Sequence, residues 1–107
     1  MVQDAIKRLH DIGGQLTDKL DVQQLAAATL HIDALTHPLS AEDLRALMLL
    51  LPEGGDTASG FNWTLLHAIE ASPVWPLWDT LRSDGSEWVR ILRGRLANAG
   101  MQPPSPR

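Results

Sequence analysis

The sequence predicts an all-α fold, and three observations carry that reading. Apolar residues recur at three- and four-residue spacing through most of the chain. No segment sustains the two-residue alternation of a strand. Capping residues, prolines and glycines punctuate the periodic runs where helices would start and stop. The expectation is a single domain over residues 1–101 with about six helices, joined by short connections that pack neighbours as antiparallel pairs. Helices three and four, then five and six, would form two such pairs. A HEAT-like pairing is compatible with this, although no internal repeat is visible. At 107 residues, 44% hydrophobic and 21% charged, the chain has the size and composition of one globular domain with a core of its own.

The first helix is expected over 2–16, with Val2, Ala5, Ile6, Leu9, Ile12 and Leu16 on one face and Gly13-Gly14 able to end it early. A second runs over 21–35, with Asp21 as a cap and Leu25, Ala28, Thr29, Ile32 and Leu35 as its stripe. Thr36-His37-Pro38 closes it, because the residue before proline avoids helical dihedrals. Ser40 caps a third helix whose start suits Glu42 and Asp43. Its body, Leu44 to Leu51, is apolar nearly all round except Arg45, as a central buried helix would be. Pro52 stops it before a polar, glycine-rich loop over 52–60. The fourth helix begins near Asn62 and stops before Pro73, with Asn62, Leu65, Leu66 and Ile69 facing inward. A short fifth helix carries Val74, Leu77, Trp78 and Leu81, with Pro76 in its first turn. Ser83-Asp84-Gly85 is a turn. The sixth helix, capped by Ser86, turns Trp88, Ile91, Leu92, Leu96 and Ala99 inward and ends at Gly100. Residues 102–107, with three prolines, read as a disordered tail.

Composition excludes several functions. The absence of cysteine removes disulfides and thiolate metal sites. The start lacks the apolar run of a signal peptide, and no window approaches the roughly 18 apolar residues of a membrane span, so a cytoplasmic protein is expected. A net charge of −4 argues against nucleic-acid partners and for a basic one. His67 and Glu70, at i and i+3 on one helix face, are the only spacing that resembles metal or proton chemistry. A metal site needs three or four ligands, and His10, His31 and His37 have no matching local pair. Phosphate-binding loops and nucleophile–base pairs are also missing. Neither a metal, a cofactor nor an enzymatic activity is expected.

Two features point to a protein partner. All four tryptophans and the single phenylalanine fall between residues 61 and 88. Trp78 and Trp88 read as core, whereas Trp63 and Trp75 sit where their stripes meet the polar side and could anchor a partner. Residues 42–79 hold six carboxylates against Arg45 alone. The expected partner-binding set is therefore Glu53, Asp56 and Asp79, with Trp63 or Trp75 as the apolar anchor.

The run Leu66-His67-Ala68-Ile69-Glu70, an aromatic-rich segment after it, and Glu87-Trp88 followed by Arg95 and Asn98 resemble small bacterial polymorphic-toxin immunity proteins. Leu50-Leu51-Pro52 and the acidic, glycine-containing loop also fit. The resemblance covers roughly residues 44–100 and implies an all-helical, non-enzymatic chain that binds and blocks one cognate protein toxin, a basic nuclease domain being one class that would fit. A helical adaptor or structural subunit unrelated to toxins is the alternative. The polar residues of the run receive a structural reading. With about 100° per residue, Arg95 falls between Trp88 and Ile91 on the inward arc of its helix, so it should be drawn inward and need a carboxylate. Glu70 is the expected partner, with His67 or Asn98 beside it, which makes helices four and six neighbours.

Overall fold

A computed structural model describes residues 2–12, 15–58, 60–82 and 85–101. Within them lie five α-helices and one 3₁₀ helix: α1 (Asp4–Asp11), α2 (Val22–Asp33), α3 (Ala41–Met48), α4 (Phe61–Glu70), the 3₁₀ helix (Trp78–Leu81) and α5 (Glu87–Asn98). Among the described residues there is no strand. The tail expected over 102–107, and the glycine pair and serine–aspartate turn expected at 13–14 and 83–84, lie outside the described residues.

Helix starts follow their caps. Asp21 accepts the backbone N–H of Gln24 while the Gln24 side chain takes the N–H of Asp21, a reciprocal box that satisfies two orphan donors. Ser40 and Asp43 do the same at the start of α3. The expected fifth helix is only a 3₁₀ turn. Pro73 and Pro76 remove two backbone donors and restrict the residues before them, so the chain from Ala71 to Leu77 stays irregular and four residues remain to wind.

One apolar core runs through the molecule. Ile6 and Leu9 of α1, Ala28 and Ile32 of α2, Leu44 and Leu47 of α3, Leu65, Leu66 and Ile69 of α4, and Trp88, Leu92 and Leu96 of α5 meet there. α1 packs on α2 and α3, α4 packs on the same two helices, and the 3₁₀ helix packs on α5. Val89 joins the buried set while Ile91 is only half-buried, so the inward arc of α5 is turned by about 40° from the expected one, and Ala99, the C-cap, lies exposed at the helix end.

α4 and α5 meet through long side chains at two levels. The Trp63 and Trp88 rings touch edge to face, with centroids 5.0 Å apart. Arg95 donates from Nε and Nη2 to the two Glu70 carboxylate oxygens at 2.7 and 2.8 Å. Trp63 and Glu70 are seven residues apart, as are Trp88 and Arg95, about 10.5 Å of rise on each helix. Like-ordered contacts at equal spacing point the two helices in the same general direction, joined by side chains and not by close backbone packing. The pair lies at the surface, with the Arg95 side chain 42% exposed and that of Glu70 23% exposed. The expected Glu70–Arg95 pair is present, and the inward placement expected for Arg95 is corrected: Trp88 and Leu92 fill the core, and the guanidinium is held at the surface by Glu70.

Two polar knots hold the helices at fixed spacing. In the first, Asp43 accepts the backbone N–H and the side-chain amide of Gln3 at 3.1 and 3.0 Å, and the N–H of Ser40 at 3.2 Å. The Gln3 amide also exchanges two hydrogen bonds with the Thr36 backbone. Burial pushes the Asp43 carboxyl up, but the hydrogen bonds from Gln3 and Ser40 outweigh it and hold it below the usual carboxylate range. In the second, the fully buried Asn62 donates from Nδ2 to the carbonyls of Leu16 and Asp56 at 2.8 and 2.9 Å. Trp88 Nε1 donates to the same Asp56 carbonyl at 2.9 Å. Asp18 completes the stitching, its carboxylate taking the Ala58 N–H while its own N–H reaches the Asp56 carboxylate.

A candidate docking groove

The loop over 52–60 runs back from α3 to α4 and is fixed at several points. Glu53 offers its carbonyl to the N–H of Glu87 at 3.0 Å, so the loop caps the start of α5. Gly55 sits against Glu87 with a positive φ of 79°, where a side chain would lie 3.1 Å from the Glu87 Cβ. Only glycine fits both the close approach and the left-handed backbone.

A groove of about 390 Å³ opens where the end of α3, this loop, the 3₁₀ helix and the start of α5 converge. Met48, Leu51 and Val89 give it an apolar floor. Gln15, Thr80 and Ser86 supply polar groups, and Arg45 and Glu53 stand at its edge. Leu49 lines it while remaining 68% exposed. Arg45 is held by Asp79, Nε to carboxylate at 3.2 Å, and that hydrogen bond, with the nearby positive charge, lowers the Asp79 carboxyl below its ordinary range. Among the described residues the Glu53 carboxylate has no hydrogen-bond or ion-pair partner. The groove therefore combines an exposed aliphatic side chain, a neutralised ion pair and one unopposed negative charge.

The residues expected to bind a partner do not form one surface. Glu53 lines the groove, and Asp79 reaches its edge by holding Arg45. Asp56 is half-buried and its carboxylate is taken by the Asp18 N–H, so it builds the loop. Trp63, 39% exposed, packs on Trp88. Trp75 is half-buried, and its indole N–H is buried without a partner among the described residues. His67 is exposed beside a Glu70 already engaged by Arg95. Among the described residues no three His, Asp or Glu side chains gather as a metal site would require.

Leu49 escaped the sequence reading. The apolar run continues to Leu51, which suggests a helix buried on all sides. The helix stops at Met48, and Leu49 is its C-cap, still with helical dihedrals of φ −69° and ψ −17°. Helical spacing therefore sets it on the outward side with Glu42 and Arg45, seven and four residues earlier, and those two polar residues are the signal that marks its exposure.

Comparison with known protein families, with characterised proteins and with solved structures finds no match. Among the described residues no helix is long and apolar enough to cross a membrane.

Proposed function

We propose that this chain is an immunity protein that neutralises a cognate protein toxin by stoichiometric binding, and that the groove around Leu49 is where the toxin docks. The observation that carries the placement is Leu49 itself, an aliphatic side chain held out of the core at the mouth of a groove, beside the unpaired Glu53 carboxylate. A partner that inserts an apolar side chain over Met48 and Leu49 and sets a lysine or arginine against Glu53 would bury the first and neutralise the second. Central apolar anchors supply most of the binding energy, and rim charges mainly speed association. The resemblance of residues 44–100 to immunity proteins supports the same reading, and the acidic net charge suits a basic toxin such as a nuclease domain.

The test is protection. Cells expressing the toxin gene that neighbours this one should survive when this chain is co-expressed. Leu49→Glu should abolish survival and complex formation while leaving the far-UV circular dichroism unchanged. Glu53→Lys should slow association and flatten its dependence on salt. Full protection by both variants would remove the docking site from this groove, and a neighbouring gene that harms no cell would remove the immunity reading.

A further inference from the structure

The end of α3, which presents Leu49, is not held by α3 alone. A helix leaves its last carbonyls without partners of its own, and a continuing helix would bring the Leu50 N–H to Ala46. That N–H turns instead to Leu47 at 3.0 Å, and the Leu51 N–H turns to Met48 at 3.3 Å, so the chain tightens as it leaves the helix. The Ala46 carbonyl is left over, and His10 of α1 takes it, with Nε2 2.9 Å away. A carbonyl only accepts, so the ring carries a proton on Nε2. The Leu50 carbonyl, on the other side of Leu49, accepts the Leu16 N–H at 2.9 Å.

We infer that His10 is a positioning residue of the docking groove: its imidazole clamps the last turn of α3 and fixes the direction in which Leu49 points. The inference rests on the docking reading above and adds to it a residue from another helix that does not itself line the groove. Leu49 stands three residues after Ala46 and one before Leu50, so the two clamped carbonyls bracket it. Its side chain is 68% exposed, so little packing holds it and its direction follows that of the backbone beneath. Histidine suits this place, because its N–H donates to a carbonyl at the negative end of the α3 dipole. The ring is half-buried where α1 packs on α3, which shields the hydrogen bond from exchange with water.

Two sets of measurements test it. In the free chain, the long-range ¹⁵N–¹H spectrum of neutral His10 in alkaline buffer should show the proton on Nε2. His10→Leu should speed amide exchange at Leu50 and Leu51 by about threefold to tenfold more than at Leu66 and Leu92, the worth of one hydrogen bond at the place it is lost. His10→Gln, whose amide can stand where Nε2 stands, should restore most of that protection. Against the product of the neighbouring toxin gene, His10→Leu should raise the dissociation rate about threefold to tenfold and leave the association rate unchanged. In a Leu49→Ala background the same substitution should change neither, because the side chain it positions is gone. Neutral His10 protonated on Nδ1, or exchange at Leu50 and Leu51 rising no more than at Leu66 and Leu92, would overturn the clamp. Unchanged dissociation in His10→Leu, or an effect undiminished by Leu49→Ala, would overturn the positioning of Leu49. A toxin that fails to bind the parent chain would instead remove the docking reading, and the exchange pattern would still decide the clamp.

Discussion

Asn62→Asp replaces one side-chain NH₂ by oxygen and should be among the most damaging single changes in this protein. Asn62 is fully buried, and its amide orientation is fixed because both groups within reach of Nδ2 are carbonyls, which accept and cannot donate. An ionised carboxylate would face those two carbonyl oxygens with no proton to offer. It therefore folds only when protonated. Holding a carboxyl of ordinary pKa about 3.9 in its neutral form at pH 7 costs about 4 kcal/mol. The protonated group regains one donor of the two, so the cost that remains is about 1 kcal/mol. The folded pKa of the introduced group lies above its unfolded value, so the penalty is absent below about pH 4 and grows as pH rises toward the folded pKa. Urea unfolding followed by tryptophan fluorescence, with the parent measured at each pH, gives the difference directly. The expected result is a loss of about 5 kcal/mol at pH 7 that shrinks to about 1 kcal/mol near pH 4. A variant that loses less than about 1 kcal/mol at pH 7, or the same amount at both pH values, would refute the geometry assigned to this site.

Three further expectations follow from the same structure. Asp43→Ala strands the N–H groups of Gln3 and Ser40 and should cost about 2–4 kcal/mol by thermal or chemical denaturation. The Asp43 pKa is depressed on folding, so its contribution is complete above the unfolded value of 3.8 and lost as pH falls through the folded pKa. Parent and Asp43→Asn stabilities should accordingly converge in acid, and a constant difference down to pH 2 would contradict the assignment. Arg95→Met should lower the melting temperature only slightly, because the Glu70–Arg95 pair is at the surface and solvent-screened. A collapse of the fold in that variant would show that the pair carries more than its exposure allows.

Much of the fold was legible because it is written in local signals. Asp21 and Ser40 announce their helices with side chains that can reach back to the backbone, and both cap in the structure. The inward face of α4, including the polar Asn62, follows from helical spacing. What escaped depends on contacts distant in sequence. Gln3 reads as an ordinary exposed residue until Asp43, forty positions on, is placed beside it. Asp56 reads as one more acidic surface group, yet its main chain receives both Asn62 and Trp88. The same limit explains the scattered binding set, because spacing lists carboxylates without revealing which the fold has already occupied. Glu70 and Arg95 share a contact, while the depth of that contact depends on how Trp88 and Leu92 fill the core beneath it.

The co-directional arrangement of α4 and α5 has an electrostatic consequence. Each helix has a macrodipole with its positive end at the N-terminus, and two dipoles aligned side by side bring like ends together. Antiparallel neighbours cancel their fields, and this pair adds them. The segment that lies against the summed positive ends is the loop over 52–60, which carries Glu53 and Asp56, with Glu87 in the first turn of α5. Its carbonyls already meet the N–H groups of Glu87 and Trp88 Nε1. At the opposite end, His67 and Arg95 occupy the last turns, where positive charge belongs. Glu87 and the loop carbonyls thus oppose the positive ends of two like-directed helices, while the Glu53 carboxylate is left to the groove.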